Sequence, residues 1–223
     1  MLADFAGMIN VDVTFGYGGG GGGSRRVTSS TSTTTTTTAD TGSVLGEKIV
    51  FADIATHWAE EYISDLADVG VVEGRSEGKY EPNEYLTRGE AVKIALGILG
   101  IEVDYALTSS FDDVAYGSWY APYVATAEQH GLIQGYDDGT FKPGSNINRA
   151  EIMKIFLEGK DLDLTASAEA DFSDVEKDAW YTPYFSFAAE NGIIEGYTDG
   201  TVRPGNNIYR GEMAKIASLV MDL

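Results

Sequence analysis

Cysteine is absent from the 223 residues, so the chain has no disulfide framework and no thiolate chemistry. Histidine is almost absent. His57 and His130 are the only two, which argues against histidine-rich metal sites and Ser-His-Asp catalysis. Basic residues are scarce, 15 against 35 acidic ones, and the formal charge is −20. A surface of that sign repels phosphate backbones, so nucleic acid is not an expected partner. No apolar run reaches the length of a transmembrane helix, and membrane insertion is not expected. The opening MLADFAGMINVDVTF lacks a basic n-region and an apolar stretch ending in small residues, so no export signal is legible in it. The expectation is a chain that stays inside the cell or forms the C-terminal part of a longer exported protein.

The next stretch lacks apolar residues. GYGGGGGGSRRVTSSTSTTTTTTADTGS cannot bury a core, and residues 16–48 read as a flexible Gly/Thr-rich linker. On random-coil scaling, about 28 such residues span roughly 30 Å. Residues 1–15, with the alternating INVDVTF, read as the end of an upstream domain.

From residue 51 the chain is periodic. Trp58, Trp119 and Trp180 are spaced by 61, as are Gly70, Gly131 and Gly192, Pro82, Pro143 and Pro204, and Arg88, Arg149 and Arg210. Glu90, Glu151 and Glu212 follow in step, then Lys93, Lys154 and Lys215. Each copy opens on Phe and Asp, as FADI, FDDV and FSDV. Three units result, over 49–108, 109–169 and 170–223.

Each unit carries two helices. Pro122 and Pro183 mark the first helical position of the first helix, with Thr182 as a cap, and Gly131 and Gly192 mark its left-handed stop. A turn-rich GYxDGTxxPG loop follows. The second helix opens on LTRGE, INRAE or IYRGE. Thr87 with Glu90, and Asn148 with Glu151, make capping boxes, while Tyr209 is a poor cap.

The glutamate therefore has a structural task, and the arginine beside it has none that is obvious. It stands at the first helical position, where the dipole disfavours a cation. Two readings are open. Arginine plus free helix N–H groups makes a cradle for a carboxylate or phosphate. Alternatively it pairs with a nearby carboxylate. On their own, the three tryptophans read as core residues. Asp53, Asp113 and Asp174 read as turn caps. Lys93, Lys154 and Lys215 read as helix-surface partners of the glutamate three residues before them.

Together, FxDV…W, GYxDGTxxPG and [LI]xR[AG]E in three copies resemble S-layer homology domains, over about residues 49–223. The resemblance implies a mainly α fold: three helix-loop-helix repeats in a pseudo-threefold assembly, the first helices forming a central bundle. It implies grooves between repeats that bind an anionic wall polysaccharide or peptidoglycan-linked polymer, often carrying pyruvate ketals. It implies location at the cell surface, in a surface layer where self-association is a further partner. The binding role carries over to Arg88, Arg149 and Arg210, to Trp58, Trp119 and Trp180, and to the loop glycines Gly74, Gly135 and Gly196. No cofactor and no metal is implied. Copy one, with RSEGKYEPN, Glu81 and Glu84, is expected to bind less strongly than the others, its extra Arg75 and Lys79 lying early in the loop.

Three rivals come from other classes. One is an envelope scaffold working through protein contacts. Another is a glycan-active enzyme using a pair such as Asp112 and Asp113. A third is a calcium loop at YDDGT, which lacks the ligand spacing of an EF-hand.

Overall fold

The computed structural model describes residues 50–164 and 170–223. The upstream-strand and linker readings fall on residues 1–48, outside the described residues. Among the described residues six helices follow one another: α1 (Glu60–Asp68), α2 (Arg88–Ile98), α3 (Ala121–Gln129), α4 (Arg149–Glu158), α5 (Thr182–Glu190) and α6 (Arg210–Met221).

The local signals act largely as their chemistry dictates. Thr87 Oγ1 accepts from Glu90 N at 3.4 Å while Glu90 Oε2 accepts from Thr87 N at 2.8 Å. Asn148 and Glu151 form the same reciprocal pair at 2.8 and 3.0 Å. Tyr209 manages only half of it: its N–H donates to Glu212 at 3.2 Å. Gly70, Gly131 and Gly192 end the first helices at φ of 77°, 70° and 68°, which a residue with a Cβ rarely adopts. Pro122 and Pro183 are the second helical residues, not the first, because a preceding turn starts each helix early. Ala121 N donates to Ser118 O, and Thr182 N to Ala179 O. Thr182 is thus inside α5 and caps nothing; its hydroxyl donates to Glu176 O at 2.6 Å.

The second helices form the centre. α2, α4 and α6 touch one another pairwise, and the first helices lie outside them. This corrects the expected placement of the first helices in the bundle. Burial explains it: α1 hides only Ile63, Leu66 and Ala67, whereas α2 hides residues on nearly every side, Ala91, Val92, Ile94, Ala95, Leu96 and Ile98 among them. A helix that is apolar all round belongs in the interior.

Each first helix packs on the second helix of a different repeat. α1 lies on α6, α3 on α2 and α5 on α4. A backbone ring closes the assembly: Leu86 N donates to Ile208 O at 3.0 Å, Ile208 N to Ile147 O at 3.1 Å, and Ile147 N to Leu86 O at 3.0 Å. The three residues are fully buried and stand 61 apart. The repeats therefore share one core, and a single repeat has no partner for its own helices.

Candidate functional site

The arginine beginning each second helix is buried, with Arg88, Arg149 and Arg210 between 3% and 6% exposed. Arg88 Nε donates to Phe141 O at 2.9 Å and Nη1 to Glu151 at 2.9 Å. Arg149 Nε donates to Val202 O at 2.8 Å, with Glu212 at 3.4 Å from Nη1. Arg210 Nε donates to Tyr80 O at 2.9 Å and Nη1 to Glu90 at 2.9 Å. Aromatic rings flank each guanidinium: Phe141 at 4.7 Å from Arg88, Tyr197 at 5.6 Å from Arg149 and Tyr80 at 4.3 Å from Arg210. Every arginine thus pairs with the capping glutamate of the next repeat, and the three pairs close a cycle. The glutamate serves its own helix start and a neighbour's cation together.

The helix-start N–H groups are occupied. Arg88 N and Gly89 N donate to Ser145 O and Pro143 O, Arg149 N and Ala150 N to Asn206 O and Pro204 O, and Arg210 N and Gly211 N to Glu84 O and Pro82 O. A cradle of free helix donors is therefore not available to an anion, because the next repeat's proline loop already fills it.

Above each ion pair lies a groove. The first, about 300 Å³, is lined by Gly74, Arg75, Glu90, Lys93, Trp119 and Arg210, over Val71 and Val72. The second, about 100 Å³, holds Arg88, Glu151, Lys154 and Glu158 over Leu132 and Ile133. Trp180 stands beside it, its ring 5.8 Å from Lys154 Nζ. The third, about 210 Å³, holds Trp58, Arg149, Gly196, Glu212 and Lys215 over Ile193 and Ile194. Each groove thus draws on all three repeats: Trp from one, Glu and Lys from another, Arg from the third.

The tryptophans are not core residues. They are 58%, 54% and 54% exposed. Each sits just before a first helix that packs outside the bundle, so its indole reaches the rim. The phenylalanines take the buried role, Phe51 most completely. They also explain the loop glycines. A Cβ on Gly135 would stand 2.3 Å from Phe111 Cε1, and one on Gly196 2.7 Å from Phe172 Cε1; on Gly74 it would meet Lys79 O at 2.5 Å. Gly74 and Gly196 also line their grooves.

The aspartates do more than cap a turn. Asp53 accepts from Tyr80 N and Glu81 N at 2.9 and 2.7 Å, Asp113 from Phe141 N and Lys142 N at 2.7 Å each, and Asp174 from Val202 N and Arg203 N at 2.8 and 2.7 Å. Each clasps the loop at the residue before its proline, which is held at positive φ: Glu81 at 63°, Lys142 at 60°, Arg203 at 54°. Such backbone costs about 1–2 kcal/mol for a non-glycine residue, and the two-pronged carboxylate offsets it. Burial pushes the Asp53 carboxyl up, but the Tyr80 and Glu81 N–H bonds win and hold it below its ordinary value. At YDDGT, Asp138 turns onto its own loop, accepting from Thr140 and facing Lys142 Nζ at 3.0 Å.

The lysines do not pair with the capping glutamates. Lys93 Nζ reaches Glu73 at 2.9 Å, Lys154 faces Glu158 at 3.9 Å and Lys215 faces Glu195 at 3.8 Å. They stand over the grooves, a role that helix spacing alone did not reveal. The signal for it was the 61-residue recurrence itself. The apolar pair after each stop glycine was missed in the same way.

The described residues form a triplicated helical scaffold with one groove at each repeat junction. The S-layer homology domain model matches residues 50–92, 110–153 and 171–214, more than half of the sequence. The chain belongs to the S-layer homology domain family, and this places it at the cell surface or cell wall. It is 32% identical over 168 residues to the S-layer protein sap of Bacillus anthracis, covering 74% of this chain and 20% of that one. It is 33% identical over 172 residues to an amylopullulanase of Thermoanaerobacterium thermosulfurigenes, covering 74% of this chain and 9% of the enzyme. A cell surface glycoprotein 1 of Acetivibrio thermocellus matches at 32% over 161 residues, 67% of this chain and 7% of that one. The chain spans about a fifth of the length of the S-layer proteins it matches. Among the described residues no helix is long and apolar enough to cross a membrane.

Proposed function

We propose that residues 50–223 hold a surface protein on the bacterial envelope, non-covalently, by binding an anionic wall polysaccharide in the grooves between repeats. The observation that carries this reading is the exposed tryptophan at a groove floored by arginine and rimmed by lysine, built three times. An exposed indole is a poor choice for a surface with no partner. It offers a flat apolar face on which the C–H face of a sugar ring can lie. The arginine and lysine supply the charge complement to an acidic substituent, in a chain whose net charge is −20. Each guanidinium carries N–H groups beyond those spent on Nε and the glutamate, one of which in Arg210 goes to Glu73 O at 3.1 Å, and burial fixes their position before a ligand arrives. The site residues are Arg88, Arg149, Arg210, Trp58, Trp119 and Trp180, with the lysines as added partners. Gly74, Gly135 and Gly196 serve by letting the loop close against a phenylalanine.

The test is co-sedimentation of the purified chain with cell-wall sacculi, before and after chemical removal of the wall polysaccharide. Pelleting only with untreated sacculi is expected. Equal pelleting with stripped sacculi overturns the polysaccharide reading and leaves an envelope scaffold that works through other contacts.

A further inference from the structure

The three grooves are built to one plan but are not equal, and one position sets the first apart from the other two. Tyr136 and Tyr197 occupy equivalent places in copies two and three, and Arg75 occupies that place in copy one. Arg75 points into the first groove. Its Nε and Nη2 donate to the two oxygens of Glu90 at 2.7 and 2.6 Å, and Nη2 also donates to Tyr85 O at 2.7 Å. Glu90 is therefore shared between Arg75 and Arg210, whereas Glu151 and Glu212 each face one arginine. In the third groove Tyr197 OH instead donates to Glu212 at 2.9 Å, adding no charge.

The charge balance follows. Lining the first groove are three cations, Arg75, Arg210 and Lys93, against two carboxylates, Glu73 and Glu90. The second and third grooves each carry two cations against two carboxylates. The first is also the roomiest, about 300 Å³ against 210 and 100 Å³. That alone reaches the size of ordinary small-ligand sites. It continues into a shallow depression of about 490 Å³ that shares Arg75, Glu90 and Trp119 and extends over Tyr85 and Tyr120. Glu81 and Glu84, the two acidic residues expected to weaken copy one, line a neighbouring cavity with Asp53, Pro82 and Arg75 itself, and Glu84 also lines the depression, outside the first groove proper. Glu81 pairs loosely with Arg75, its Oε2 4.0 Å from Nη1.

We propose that the first groove is the dominant anion site of the chain, and that Arg75 is its specificity-determining residue, sharing Glu90 with Arg210 and so giving the groove lining one positive charge in excess for a carboxylate-bearing sugar. This rests on the reading of the grooves as anionic-glycan sites. It reverses the order expected from copy one's acidic loop.

The three tryptophans supply the assay, since each indole N–H reports one groove: Trp119 the first, Trp180 the second, Trp58 the third. The labelled chain is titrated with a synthetic 4,6-pyruvate-ketal hexopyranoside and with its methyl ester, which has the same shape without charge. The expected result is a Trp119 shift at roughly tenfold lower ketal concentration than Trp58 or Trp180, as befits one added charge-assisted contact. The ester shows no such preference. Arg75→Tyr weakens the Trp119 titration by about tenfold and leaves the others unmoved. Tyr197→Arg, the converse change, strengthens the Trp58 titration. If the indoles titrate together, if the ester keeps the preference, or if neither substitution moves its groove, the role of Arg75 is overturned and the glycan reading stands. If the ketal moves no indole, both fall.

Discussion

Arg149→Ala should destabilise the whole repeat region, although the sequence places the arginine where its loss relieves a helix dipole. The structure reverses that expectation through three contacts. Nε donates at 2.8 Å to Val202 O, a carbonyl of the next repeat. Nη1 faces Glu212 at 3.4 Å, and the guanidinium lies 5.6 Å from the Tyr197 ring. Losing a hydrogen bond from a charged donor costs about 1.5–3 kcal/mol. Breaking a fully buried ion pair costs about 3–5 kcal/mol, but Glu212 retains partial exposure and a Tyr197 hydroxyl, so only part of that applies. The dipole relief returns about 0.3–1 kcal/mol. The balance is a loss of roughly 2–4 kcal/mol, carried mainly by the stranded carbonyl and carboxylate. At about 2–4 °C per kcal/mol for a domain of this size, the melting temperature falls by roughly 5–15 °C. Arg149→Lys keeps the charge but not the Nε bond and should fall between. Circular dichroism melts of the three proteins decide it. An alanine variant that melts with the parent would refute the structural role, and a loss of wall binding in that stable variant would make the arginine a ligand contact alone.

Gly135→Ala should cost about 1–3 kcal/mol by overpacking, since its Cβ would meet Phe111 Cε1 at 2.3 Å and Thr140 O at 2.8 Å. Gly144→Ala, with nothing within 4 Å, is the control, and chemical denaturation of both should separate them; equal stabilities would mean the loop is not pressed on the phenylalanine. Acid should destabilise the fold through carboxylates whose values are lowered in the folded state. In Asp53, Glu90 and Glu128, burial opposes the charge and hydrogen bonds outweigh it. Their contribution is complete above the ordinary values of 3.8 and 4.5 and is lost as pH falls through the lowered folded ones. Melting temperatures that stay level from neutral pH to about 5 and drop below about 4 are expected; a maximum at pH 3 would contradict the sign.

The repeat, the six helices and their stops were legible because each rests on local chemistry: a cap, a proline, a glycine with positive φ. The groups that recur every 61 residues were legible as a set. Their tasks were less so, because the tasks lie between repeats. Arg88 and Glu151 are 63 residues apart and Arg210 and Glu90 are 120 apart, and helix spacing has nothing to say at such distances. The same reason hid Asp113, which holds a loop 28 and 29 residues downstream. On its own residues, Trp119 reads as core from its place just before a helix. An indole is usually buried for its area, and only the outward position of α3 shows that this one is not. Arg75 looked peripheral because it comes early in its loop, yet the loop folds back and delivers it to Glu90.

The interlocked packing also sets what counts as one binding unit. The arginine of the first groove comes from the third repeat, its glutamate and lysine from the first, and its tryptophan from the second. The third groove draws on the second, third and first repeats in the same roles. Removing any one repeat therefore takes a residue from every groove, breaks two of the three arginine–glutamate pairs and opens the backbone ring of Leu86, Ile147 and Ile208. On the proposed reading, binding strength cannot grow by single repeats, as it does in tandem modules that each carry a whole site. Three is the smallest number at which this unit can close, and closing is what places arginine, lysine and tryptophan around one groove. Arg75 alters the lining of one groove while leaving the backbone ring and all three cross-repeat pairs in place.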